Sequence, residues 1–361
     1  MTPPFRADQV GSLLRPPELA AARAEFKRGG LDAGALREAE DRAIRDAVAR
    51  QEAIGLEAIT DGEFRRDYWH LDFQSGLGGV TLKQMSGPGF SGSTEQPPIP
   101  NVTGKLRYTR PVMVDHFEFL KRTTRKTPKM TIPSPAMLHL RPGRAGVSRE
   151  VYPDLDEFWA DASKAHRAAI AAFAAAGCTY LQLDDVSFAY LCDPKIREQC
   201  RRNGDDPEKL PRIYADAVNG SLEGRPQGMT ITMHTCRGNF RSAWVAEGGY
   251  ESVAEAMFST HVDAFFMEFD SARAGGFEPL RLLPKGKKVV LGLVTTKTGE
   301  LESKDSIKRR IEEAAKFVPL DDLCISPQCG FSSTHHGNAL SFEEQWRKLE
   351  RVVEVAREVW Q

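Results

Sequence analysis

The sequence predicts a single (β/α)8 barrel, and three observations predict it. Eight short runs with strand character recur along the 361 residues. Helical patterns separate most of them, which implies parallel pairing through right-handed crossovers. No G-x-G-x-x-G follows the first run, so the competing open doubly wound sheet lacks its usual signature.

In order, the runs are FRADQVG (5–11), LEAITD (56–61), KMTIPS (129–134), YLQLDD (180–185), MTITMH (229–234), AFFMEF (264–269), KKVVLGLV (287–294) and DLCISPQ (322–328). Between the first two, DAGALREAEDRAIRDAVARQEAIG reads as a long amphipathic helix. DLDEFWADASKAHRAAIAAFAAAG opens on a capping box, Asp154 with Glu157, and closes on Gly177 as its C-cap. The last helix, in SFEEQWRKLERVVEVAREVW, takes Ser341 as N-cap with acidic residues in its first turn. The segment 78–110 breaks the alternation. Its Gly/Ser/Pro-rich middle reads as a mobile loop between two short strands, an excursion over one barrel face. No internal repeat or second domain is visible, so one domain is expected over 1–361.

Composition excludes several classes. The chain is 41% hydrophobic and 27% charged, ordinary for a globular domain. Its 49 basic and 50 acidic side chains give a net charge of −1, which argues against nucleic acid or an anionic membrane as partner. No apolar run approaches the roughly 18 residues of a membrane span. MTPPFRADQVGSLLRP lacks the basic and apolar regions of a signal peptide. The six cysteines are therefore expected to be reduced and the compartment to be the cytoplasm.

In a parallel barrel the chemistry sits at the carboxyl ends of the strands. The second run ends in Asp61 and Glu63, the fourth in Asp184 and Asp185, the fifth in His234 and Cys236, the sixth in Glu268 and the eighth in Cys329. His234 and Cys236 lie two apart and can point to one side. Alone, that pair reads more readily as buried core. With Glu268 and Cys329 at later strand ends it becomes a zinc ligand set. The acidic ends have a bland alternative: capping helices, or pairing with Arg65 and Arg66 of GEFRRD. Arg237, Gly238 and Asn239 are candidate donors to a substrate carboxylate. Cys178, Cys192 and Cys200 suit packing or surface roles, and Cys324 suits the core. His335 and His336 read either as pocket lining or as an exposed pair.

These residues resemble the catalytic C-terminal barrel of cobalamin-independent methionine synthase. The likeness is closer to its short relatives, the 5-methyltetrahydropteroyltriglutamate–homocysteine methyltransferase-like proteins. QVGS, TDGEFRR, LQLDD, HTCRGN, MEFD and SPQCGFSS carry it, across nearly the whole chain. The resemblance implies zinc held by His234, Cys236, Glu268 and Cys329. It implies a homocysteine pocket at Gly11, Ser12, Glu63 and Asp184, with the substrate sulfur replacing Glu268 on the metal. The sequence departs from the family at the proton donor, where GLVTTKTGE offers Lys297 in place of a histidine. SPAMLHLRPG holds no counterpart of the pterin-stacking tryptophan, and no second barrel is expected within these 361 residues. The expected partners are a small thiol, homocysteine first, and a methyl donor left open between methyltetrahydrofolate and another methyl carrier. Alkyl transfer to another thiol such as coenzyme M, and a non-catalytic zinc-stabilised binding barrel, remain the alternatives. A homo-oligomer is left open.

Overall fold

Parallel strands buried on both faces organise this molecule. The computed structural model describes residues 2–84 and 98–360. In chain order the strands are β1 (Ala58–Ile59), β2 (Gly78–Lys83), β3 (Ile99–Arg107), β4 (Thr127–Pro133), β5 (Tyr180–Asp185), β6 (Thr230–Thr235), β7 (Ala264–Glu268), β8 (Lys288–Val294) and β9 (Leu323–Pro327). Seven of them form one sheet in the spatial order β1-β4-β5-β6-β7-β8-β9, every pair parallel. Every residue of β5 and β7 is buried, as a sheet flanked by helices requires.

The first expected strand is a correction. Of residues 5–11, only Ala7 pairs with a neighbour, Ile325 of β9. Two backbone bonds secure that contact, Asp8 N–H to Ile325 O at 3.0 Å and Ile325 N–H to Arg6 O at 2.9 Å. The Asp8 carboxylate explains the short pairing, because it takes the amides of Phe5 and Gln9 that a strand would offer its neighbour. Toward β1 the segment is held by Gln9 Nε2 on Ala58 O at 3.1 Å and Thr60 Oγ1 on Gly11 O at 2.6 Å. The seven-stranded sheet thus curls round, with residues 5–11 as an eighth, irregular stave of the barrel.

The helices follow local chemistry. In Leu155–Ala175 the Asp154 side chain accepts from the amides of Asp156 and Glu157. Glu157 does not return the bond; it pairs with Lys105 instead, so half of the expected capping box forms. The C-cap is Ala176, and Gly177 follows it at φ +89°. Phe342–Trp360 has the complete box: Ser341 Oγ takes the Glu344 amide and Glu344 takes the Ser341 amide. Its apolar face and that of Ala33–Ile54 meet around Ile44, Val48, Leu349 and Val353. The excursion at 78–110 contains the antiparallel hairpin β2–β3. Its Gly/Ser/Pro-rich middle lies outside the described residues. Among the described residues, no helix is long and apolar enough to cross a membrane.

Candidate metal centre

Parallel register sets the site. His234 of β6 stands beside Asp184 of β5 on one side and Phe266 of β7 on the other. Cys236 follows one residue past β6, Glu268 ends β7, and Cys329 lies two residues past β9. The ligand atoms of His234, Cys236, Glu268 and Cys329 all lie within 4.8 Å of one another, and all four residues are buried. The two sulfurs are 3.4 Å apart, well beyond the ~2.05 Å of a disulfide. Among the described residues, neither ring nitrogen of His234 has a hydrogen-bond partner of normal geometry, and both are buried. An orphaned imidazole, two thiols and a carboxylate converging in this way fit a tetrahedral zinc ion.

The charges interact strongly. The Cys236 thiol and the His234 ring hold Cys329 well below the ordinary thiol range, although burial opposes this. The same contact with Cys329, then burial, pushes Cys236 well above it. Burial disfavours charge on His234, but Cys329, Asp184 and Glu268 outweigh it and raise its pKa. Glu268 is raised by burial and by Cys329, while Lys297 pulls it down.

A cleft opens over His234, Cys236 and Cys329, with Ser12, Glu63 and Asp184 in its wall and Glu268 buried beneath. Gly62 and Glu63 both have positive φ, +64° and +59°, and that sharp turn aims the Glu63 carboxylate inward. Glu63 accepts from Thr131 Oγ1 at 2.7 Å and forms an ion pair with Arg66. The pairing with arginine therefore holds for Glu63 alongside its place in the cleft. Asp184 accepts from Gln182 Nε2 at 2.7 Å and is raised by burial against the pull of His234 and Arg66. Gly11 stands behind this wall: a Cβ there would lie 2.5 Å from Glu63 Oε1. Asp185 serves as a cap, taking the Ser187 amide at 2.6 Å and the Ser134 hydroxyl.

Arg237 does not face the cleft; its guanidinium lies buried 4.4 Å from the Tyr250 ring centroid. Gly238, at φ +88°, reverses the chain so that Asn239 lines the cleft instead, bonded to Gly330 O at 2.9 Å. Lys297 stands behind that wall, its Nζ 3.5 Å from Asn239 Oδ1. Cys192 and Cys200 are buried, which removes a surface role. His335 and His336 stack on each other at 3.8 Å, half-buried, with Tyr68 edge-on to His335.

Sequence reasoning passed over Tyr68, Trp69, His70, Arg141 and Tyr190, which complete the cleft wall. His70 is 3% exposed and neither ring nitrogen has a partner among the described residues; burial, then Arg141 and Arg66, hold its pKa well below the usual value. Trp69 packs against it at 4.5 Å. The cluster of rings in RRDYWH, just past a strand end, was the available signal.

Residues 5–358 match the family "Cobalamin-independent synthase, Catalytic domain". The chain belongs to this family. Among its relatives is YxjH of Bacillus subtilis (strain 168), an uncharacterised protein 46% identical over 99% of this chain and 95% of its own. A Listeria monocytogenes structure, provisionally assigned as a vitamin-B12-independent methionine synthase, is 39% identical with a TM-score of 0.81, covering 100% and 99% of the two chains. A B12-independent methionine synthase from Shewanella sp. W3-18-1, in complex with selenomethionine, shares the fold at 20% identity and TM-score 0.76, covering 98% and 97%. Membership in the methionine synthase family accounts for the barrel and supports a methyltransferase of that type.

Proposed function

We propose that this chain, as one barrel domain over 1–361, is a zinc-dependent methyltransferase that methylates the thiol of homocysteine to give methionine. The observation that carries the reading is the convergence of His234, Cys236, Glu268 and Cys329 beneath a cleft that also holds the carboxylates of Glu63 and Asp184. His234, the two thiolates and Glu268 would hold the metal, whose chemistry is to keep a bound thiol ionised near neutral pH. Asp184 and Glu63 face the cleft and hold the substrate ammonium, Arg66 tempering the charge of Glu63. Ser12 forms the wall beside Cys329 with Gly11 behind it, and Ser12 Oγ accepts the Ser332 amide at 3.3 Å. Lys297 acts through its charge behind Asn239, which favours the thiolates, in place of direct proton donation. The selenomethionine held by the Shewanella protein is an analogue of the product this reading assigns. Coenzyme M has no ammonium for Asp184, so the cleft favours an amino-acid thiol.

The test pairs metal analysis with acceptor screening. About one zinc per chain, and methionine formed from homocysteine with methyltetrahydrofolate or methylcobalamin, is the expected result. Consumption of coenzyme M in its place, or of no thiol with any donor, would overturn the acceptor assignment. Gly11→Ala is expected to keep its zinc yet lose roughly 10–100-fold in kcat/KM for homocysteine, because the new methyl displaces Glu63. Unchanged kinetics would remove Glu63 from the acceptor site.

A further inference from the structure

We propose that Arg273 is a positioning residue that keeps Glu268 exchangeable, receiving its carboxylate when a thiol enters the metal centre. This rests on the zinc–thiol reading above and extends it to a residue outside the ligand set.

If the zinc is to stay four-coordinate, a substrate sulfur would take the place of one of these four residues. The four candidates are not equally placed to leave. Cys236 and Cys329 are soft thiolates that a carboxylate does not outcompete on zinc, and His234 has no hydrogen-bond partner of normal geometry waiting for it. Glu268 has a complete second set of donors. Its Oε1 accepts the Arg237 amide at 3.0 Å, and its Oε2 accepts Arg273 Nη2 at 3.1 Å. Glu268 is fully buried, and a carboxylate set free there without a cation would be costly.

Arg273 is itself fixed. The same Nη2 bonds Asp270 Oδ1 at 2.8 Å, and the guanidinium lies 5.3 Å from the Trp244 ring centroid. Its carbonyl accepts the Gly248 amide at 2.8 Å, tying the residue to the loop that follows β6. Asp270 balances the guanidinium while Glu268 serves the metal. A released Glu268 carboxylate would find Arg273 already within bonding distance and would share that cation with Asp270, so it is not left without a partner. No bond to carbon is made or broken in this step; the thiol would lose its proton to solvent, its sulfur would take the metal position Glu268 leaves, and the Glu268 carboxylate would pair with Arg273.

The experiment uses full-length protein loaded with cobalt(II), titrated with homocysteine and followed through the sulfur-to-cobalt charge-transfer band. Metal affinity is measured in parallel by chelator competition. Wild-type protein is expected to gain one thiolate per cobalt. Arg273→Met is expected to bind metal at least as tightly but to need about tenfold more homocysteine for the same spectral change. Arg273→Lys should recover most of that loss. Asp270→Asn should move the other way, weakening metal binding and easing thiol entry. A purely structural role for Arg273 would lower stability and metal affinity together without this opposition. Arg273→Met titrating like wild type, or losing its metal outright, overturns the proposal. Wild-type protein that binds cobalt but adds no thiol overturns the zinc–thiol reading as well, and is recognised before any variant is made.

Discussion

Cys329→Ser protein is expected to purify folded and nearly free of zinc, whereas wild type carries about one ion per chain. The physical reason lies in the sulfur. Cys329 is held well below the ordinary thiol range by Cys236 and His234, so it is the group best prepared to meet a cation as a thiolate. A serine hydroxyl at the same place does not ionise and is a poor partner for zinc. The fold should survive, because the loop is fixed by other contacts: Phe331 N–H on Ser12 O at 2.9 Å and Asn239 Nδ2 on Gly330 O at 2.9 Å. Metal analysis beside circular dichroism decides the matter. A folded variant retaining its full zinc would remove Cys329 from the ligand set and leave the reading without its fourth member.

The second large effect concerns the barrel floor. Asp8→Ala is expected to cost about 3–5 kcal/mol of stability, since it leaves the Lys129 ammonium buried without its counter-charge. Both side chains are 0% exposed and 3.1 Å apart. Asp8 also accepts the Tyr180 hydroxyl at 2.8 Å and the amides of Phe5 and Gln9, so the N-terminal stave loosens with it. Burial already lowers the Lys129 pKa while Asp8 raises it, and removing Asp8 lowers it further. The unfolded chain then binds the lysine proton more tightly than the folded one. Stability of the variant should therefore rise with pH toward the free lysine range, the reverse of what a raised pKa would give. Denaturant titrations at several pH values measure both features. Asp8→Ala with Lys129→Met should recover much of the loss. A loss under about 1 kcal/mol in the single variant would show that the pair adds little.

The repeating part of the fold was legible because it is local. A run such as YLQLDD is apolar enough to be buried on both faces and ends in charge, and β5 occupies those six residues. Asp154, Gly177 and Ser341 mark helix ends through bonds to their own backbone neighbours, so position in sequence suffices to find them. FRADQVG carried the same strand signal but became a stave with one paired residue, because Asp8 turned its carboxylate onto nearby amides and toward Lys129, 121 residues away. Glu157 shows the same effect on a smaller scale, leaving its capping box for Lys105.

By itself, the sequence determined the order of staves and crossovers and the residue types at each strand end, His234, Cys236, Glu268 and Cys329 among them. Those follow from periodicity and composition over a few residues. Only the tertiary structure decided which of them meet. It brought Cys329 to within 3.4 Å of Cys236, turned Arg237 away onto Tyr250, and set Arg66 against Glu63 and Arg273 against Glu268. Curling the sheet places strand ends far apart in the chain around one small mouth, and distances across that mouth have no counterpart in any local stretch of sequence.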